Sequence, residues 1–225
     1  MSRRTVDMYQ YNGPQLGRQS KKQKTEKKRK ADEEEEEESP TSMGQDRRIE
    51  RAKNHIYFHC EVDRDSIYDL VKLIREAEEE SLMLSYKMHI DPVPIHLHIS
   101  SFGGSIFAVM GAVDVIKACR VPVYSIIDSA TASAGTLLSV VCAKRFIRPS
   151  AHMLIHQLSS WCWGKMAEIE DEFQNLQELM VTIKSIYMEH TTIPKKQLDA
   201  LLKRDIWLNA QKCISYGLVD EVYEG

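Results

Sequence analysis

The residues of this chain best suited to chemistry are a serine among very small neighbours and a histidine that follows it. Ser133 lies in Ala130-Thr131-Ala132-Ser133-Ala134-Gly135, where an apolar strand pattern gives way to a helical one. His156 closes the next apolar strand pattern, in Met153-Leu154-Ile155-His156-Gln157. A serine hydroxyl is a weak nucleophile until a base takes its proton, and a fold can bring that base from elsewhere in the chain. Ala132 and Ala134 leave room for a carbonyl to approach, and Gly135 permits close packing. A helix that begins at Ser133 aims unpaired N–H groups and a positive dipole end at the same point, which suits a developing oxyanion. The plainer reading of Ser133 is a helix cap.

Two further features belong with this pair. Ser101-Phe102-Gly103-Gly104-Ser105 reads as a turn between a strand and a helix. Strand-end loops of open α/β sheets open on one edge, where ligands bind. The Gly103 N–H could then join the Ala134 N–H as a second oxyanion donor, although a Gly-Gly pair alone reads as a turn. The acid is harder to choose among 33 acidic residues. Asp205 stands isolated before Ile206-Trp207-Leu208, which predicts partial burial. A buried aspartate would fix the histidine tautomer and stabilise the imidazolium. The alternative for Asp205 is a cap or an ion pair with Arg204. His96 and His98 share one strand face and His152 falls four residues before His156, but no cysteine or acid stands at ligand spacing. No metal and no other cofactor is expected.

The elements that must position these residues are legible as alternating strands and helices. Strands are predicted at His55–Cys60, Ile95–Ile99, Val123–Ile127, Lys144–Arg148, His152–His156 and Asp205–Leu208. A helix carries Ile67, Leu70, Val71 and Ile74 at helical spacing, with Asp63 or Asp65 as its cap. Others run from Ile106 to Ala118, from Ser133 to about Cys142, from about Lys165 to His190, and from Pro194 to near Lys203. Asn209 caps a last helix that stops at Gly217. The stretch Ser81–Pro94 has no clean period and reads as a loop. Such alternation implies an α/β fold with a largely parallel sheet.

Composition sets the boundaries. With 225 residues, 43% of them hydrophobic, the chain can build one domain with a core, plus a tail. Lys21–Lys30 is a basic block, and Asp32–Glu38 is an unbroken acidic one. Like-charged blocks bury too little surface to offset chain entropy, so residues 1–46 are expected to be a disordered charged tail and residues 47–225 the domain. The basic block reads either as a nuclear-import or polyanion-binding signal or as part of a solvated tail. A net charge of −3 argues against a dedicated nucleic-acid binder. No apolar run reaches the ~18 residues of a membrane helix, and the start lacks a secretory h-region. Five scattered cysteines fit a cytoplasmic or other reducing compartment.

From about Ile49 to Gly225 the chain resembles the proteolytic subunit of the Clp (caseinolytic) ATP-dependent protease. Ser101-Phe102-Gly103-Gly104 is similar to that family's Ser-Pro-Gly-Gly turn, and Ala132-Ser133-Ala134-Gly135 to its Ala-Ser-Met-Gly segment. Met153-Leu154-Ile155-His156-Gln157, Arg204-Asp205-Ile206-Trp207-Leu208 and Tyr216-Gly217-Leu218-Val219-Asp220 follow in the family's order. The resemblance implies a Clp/crotonase-like fold of repeated β-β-α units with a protruding handle helix. It implies a serine endopeptidase with Ser133 as nucleophile, His156 as base, Asp205 as its orienter, and Gly103 and Ala134 as oxyanion donors. It implies stacked seven-membered rings, peptide or unfolded-protein substrates and a partner AAA+ unfoldase, since the chain lacks a phosphate-binding Gly-x-x-x-x-Gly-Lys loop of its own. Ile169, Phe173, Leu176, Met180, Ile183 and Tyr187 form a stripe that suits packing on another helix or, equally, on the chain's own domain.

The chain departs from the family at Phe102 and Leu158, which replace prolines, and at Ser159–Gly164, which replaces a glycine-rich stretch and carries Trp161 and Trp163. These departures keep two alternatives in view. One is a catalytically weak structural or regulatory subunit on the same fold. The other is an acyl-CoA enzyme of the related crotonase type.

Overall fold

The computed structural model describes residues 48–224. The tail assigned to residues 1–46, with its basic block, lies outside them. Strand β1 (Arg48–Ala52) turns back on β2 (His55–His59), and helix α1 (Arg64–Met88) leads to β3 (Ile95–Ser101). Helix α2 (Ile106–Ala118), β4 (Val123–Ala132) and α3 (Ala134–Val140) follow, then β5 (Lys144–Ile147) and β6 (His152–Leu154). The long α4 (Met166–His190) precedes α5 (Lys195–Leu201), β7 (Leu208–Asn209), α6 (Ala210–Ser215) and β8 (Glu221–Val222). The main sheet has the order β1-β2-β3-β4-β5-β8. Its pairings are parallel from β2 to β8, and β1 alone joins it antiparallel.

Alternation along the strands builds the core. Ile56 and Phe58 of β2 lie beside Leu97 and Ile99 of β3, and all four are fully buried. Ile67, Leu70, Ile74 and Ala77 form the buried stripe of α1 that belongs to the same core. Asp63, one of the two expected caps, accepts the Ser66 N–H at 2.7 Å, and Ser66 Oγ reciprocates toward the Asp63 N–H.

The loop expected at Ser81–Pro94 is mostly helix. Helix α1 continues to Met88, and His89 ends it in a left-handed conformation. Its last turns bear Met83, Leu84, Tyr86 and Met88 on exposed positions, so no buried face imposes a period there. Only Ser81 is buried in that stretch of helix, and its hydroxyl donates to the Val93 carbonyl at 2.8 Å.

Strand β4 runs five residues beyond the expected end at Ile127. Its first half pairs with β5, whereas Ala130–Ala132 pair with His152–Leu154 of β6. The register against β3 shifts between Ile99 and Ser101 at the same level. Strand β4 therefore keeps β3 on one side, through Ser101 and Thr131, and on the other exchanges β5 for a smaller tier of β6 completed by β7, antiparallel to β6. The strand expected at Asp205–Leu208 is confined to Leu208–Asn209, which leaves Asp205 in the preceding loop. Helix α4 buries only Ile183, Ile186 and Tyr187, so the apolar stripe divides between a buried C-terminal end and an exposed Phe173. No described helix is long and apolar enough to cross a membrane.

One charged node ties the outer face of the sheet together. The carboxylate of Asp128 on β4 accepts from Arg148 Nε at 2.7 Å. His98 Nδ1 lies 3.1 Å and His59 Nε2 3.2 Å from its Oδ2. Burial by itself would raise the Asp128 pKa, but hydrogen bonds and charge from His98 and Arg148 outweigh it and hold the pKa at about 2. A depressed carboxyl pKa gives stability that is present above the unfolded value and is lost as pH falls through the folded one. The advantage of the wild type over Asp128→Asn is therefore expected to be about 2 kcal/mol near neutral pH and to shrink between about pH 4 and pH 2. Chemical denaturation of both proteins across that range checks this; a gap independent of pH would contradict it.

Candidate active site

Ser133 sits at the bend between β4 and α3 with φ 54 and ψ −129. L-residues rarely occupy this region, so surrounding contacts must hold it there. The Ser133 N–H donates to the Leu154 carbonyl at 2.9 Å, which ties the serine to the strand that ends two residues before His156. The Ser133 carbonyl accepts the Thr136 N–H at 3.0 Å. Its hydroxyl makes no capping bond to the helix, so the plain-cap reading fails.

The Gly-Gly turn lies directly against this bend. A Cβ on Gly103 would stand 2.7 Å from Ser133 Cβ, 2.9 Å from the Ala132 oxygen and 3.0 Å from the Ala134 nitrogen. Gly103 also has φ +96, which only glycine adopts readily. Both conditions explain the residue type at this position. The turn is fixed from behind by Val62, whose N–H donates to the Gly103 carbonyl at 2.8 Å and whose carbonyl accepts the Ser105 N–H at 2.7 Å. The Gly103 N–H donates to Ser101 Oγ at 3.2 Å, so this expected oxyanion donor is engaged rather than free.

His156 follows β6 and is partly buried, with 23% of its side chain exposed. Its Nδ1 lies 3.3 Å from Asp205 Oδ1. Asp205, expected to be partly buried, is 80% exposed. The apolar run after it turns inward only at Leu208, while Trp207 stays at the surface. Trp207 instead meets Phe102 edge-on, with ring centroids 6.2 Å apart, so the Gly-Gly turn touches the segment that bears Asp205. Among the described residues no hydrogen bond joins the Ser133 hydroxyl to His156. Two of the three expected members are thus in contact, and the third is tied to the same small tier through Leu154.

The other sequence candidates find different places. His98 bonds Asp128 and lies 2.9 Å from His55 Nδ1, and His96 Nδ1 lies 3.1 Å from Asn54 Nδ2. These histidines belong to the outer sheet face. Trp161 and Trp163 are 83% and 84% exposed and stack on one another, with ring centroids 6.4 Å apart. Sequence reasoning missed the Leu154 carbonyl and the Ser101 hydroxyl as anchors of the site. A backbone acceptor leaves no sequence signal, and a serine before a Gly-Gly turn looks like ordinary turn chemistry.

A model of the Clp protease family matches residues 61–225. The ATP-dependent Clp protease proteolytic subunit 2 of Treponema denticola is 34% identical over 131 residues. That stretch covers 57% of this chain and 66% of the relative, a little under two thirds of its length.

Gly103→Ala is expected to displace the Ser133 bend and to lower stability by more than about 1 kcal/mol, because the position combines a left-handed φ with a 2.7 Å overlap. Thermal unfolding checks this, and an unchanged midpoint would contradict the packing described.

Proposed function

We propose that this chain, which belongs to the Clp protease family, is a serine endopeptidase that cleaves peptide bonds with Ser133, His156 and Asp205. One observation carries the reading. A serine with an uncommitted hydroxyl is held in a strained strand-to-helix bend, against a glycine turn and tied to the strand that leads to a carboxylate-paired histidine. Strain at a single serine is a feature of sites that act, since a capping serine has no need of it.

The chemistry follows from these groups. His156 Nε2 accepts the Ser133 hydroxyl proton as Oγ attacks the substrate carbonyl carbon. Asp205 accepts the Nδ1–H of His156, fixing the tautomer and stabilising the imidazolium. The Ala134 N–H and an N–H of the Gly103-Gly104 turn donate to the oxyanion; the Gly103 N–H serves only after leaving Ser101 Oγ. The imidazolium then protonates the departing amine, the C–N bond breaks, and an acyl ester remains on Ser133. Water, deprotonated by His156, attacks that ester; the bond from the acyl carbon to Ser133 Oγ breaks, the imidazolium returns its proton to Oγ, and the acid is released. With Asp205 exposed, water screens its charge, so its contribution grows once substrate or a neighbouring copy displaces that water.

We assign this peptidase to residues 47–225 and its substrates to peptides or proteins unfolded by a partner AAA+ ATPase. The first half of α4 supports assembly into stacked rings, because Met166 and Phe173 project from a helix that has no buried residue before Ile183.

Ser133→Ala is expected to abolish both peptide cleavage and covalent labelling by a fluorophosphonate. Wild-type protein that takes no label and cleaves no peptide, with or without an added unfoldase, would sink the peptidase reading in favour of a structural subunit. Solution mass at micromolar concentration is expected to show an oligomer for both proteins. A monomer would remove the ring assignment.

A further inference from the structure

Behind the nucleophile bend lies a buried hydroxyl pair that the mechanism above does not use. Thr136 Oγ1 donates to the Ser133 carbonyl at 2.7 Å. The same oxygen lies 2.6 Å from the hydroxyl of Tyr187, which is 2% exposed and belongs to the inner end of α4. A threonine hydroxyl has one hydrogen, and a carbonyl oxygen can only accept. Thr136 therefore spends its hydrogen on Ser133, and Tyr187 must be the donor to Thr136. The chain runs from Tyr187 O–H to Thr136 Oγ1–H to the Ser133 carbonyl. Burial pushes the Tyr187 phenol above its ordinary pKa, so it keeps that hydrogen throughout the neutral range.

The target of this chain is one peptide unit. The carbonyl that accepts from Thr136 belongs to the bond between Ser133 and Ala134, and the N–H on the other end of that bond is the Ala134 oxyanion donor. A peptide unit is planar, so fixing its oxygen fixes the direction of its N–H. Bonds that feed a carbonyl also polarise the attached N–H and strengthen it as a donor. The plane is held at a strained residue, with ψ −129 at Ser133, so it does not keep this orientation unaided.

We propose that Thr136 and Tyr187 are positioning residues that aim the Ala134 N–H at the oxyanion. This rests on the peptidase reading for its consequence in rate, but the orientation of the peptide plane is a separate physical claim. The pair touches no substrate, so its effect is on transition-state stabilisation rather than on substrate binding.

The test uses the full chain with Thr136→Val, which keeps the shape and removes the hydroxyl, Thr136→Ser, which keeps the hydroxyl, and Tyr187→Phe. Thr136→Val is expected to lower kcat about 10- to 100-fold, a fraction of the loss from deleting an oxyanion donor, with KM changed less than about twofold. Thr136→Ser restores kcat to within about threefold, and Tyr187→Phe loses about three- to tenfold. In the Thr136→Val background, Tyr187→Phe adds no further loss, because the relay is already broken. Hydrogen exchange supplies a readout without turnover. Protection of the amides of Ser133 and residue 136 is expected to fall at least about tenfold in Thr136→Val and to be retained in Thr136→Ser. Wild-type kcat and protection in Thr136→Val would overturn the inference, as would an equal loss in Thr136→Ser or a loss confined to KM. Failure of Ser133 to label in the wild type would instead overturn the peptidase reading, and the exchange comparison would still decide the role of the pair.

Discussion

Held at φ 54 and ψ −129, Ser133 lies about 1–3 kcal/mol above a relaxed residue, and it stays there only because every group around it is committed. Its N–H is taken by Leu154 and its carbonyl by Thr136. The glycine turn fills the space beside it so closely that no side chain fits at Gly103. Each contact comes from a different element, namely β6, α3 and the turn after β3. The bend is therefore a product of the whole tier, and no local sequence could impose it alone. That dependence also explains the length of β4. The strand must pass the level of the main sheet and reach β6 before it can deliver the serine beside the strand that leads to His156.

The two tiers of the sheet divide the labour. The main sheet gives rigidity through its fully buried inner face and through the Asp128 node on its outer one. The small tier of β6 and β7 lies beside Ser133 and leads to His156, and it is held by few ladder bonds. Few bonds leave the Asp205 loop able to adjust, and the long 3.3 Å contact between His156 and Asp205 fits such a loop. Phe102 against Trp207 supplies an apolar contact across the gap, so the loop is tethered to the glycine turn without a rigid ladder.

Much of this was legible in the residues, and what was not has physical reasons. Ser133 and His156 stood out because small neighbours and alternating apolar runs are local signals. The continuation of β4 was hidden because Asp128 and Ser129 look like a strand end, whereas Asp128 is partly buried against His98 and His59 of neighbouring strands and Arg148 just after β5. The last turns of α1 were hidden because their large apolar residues face outward, and a helix without a buried face has no period to read. Asp205 was expected to be partly buried because apolar residues follow it. The chain turns inward only at Leu208, three residues later, and an apolar run does not say where along its length burial begins.

Helix α4 joins two of these themes. Its inner end is fixed by Ile183, Ile186 and Tyr187, and the Tyr187 hydroxyl reaches the bend through Thr136. Its outer half carries exposed apolar residues, Met166 and Phe173 among them. A phenol 2.6 Å from Thr136 has little freedom to shift without lengthening that bond. The position of the helix and the orientation of the Ser133 peptide are consequently not independent variables. The buried end of α4 therefore bears on the same hydrogen-bonded chain that holds Ser133.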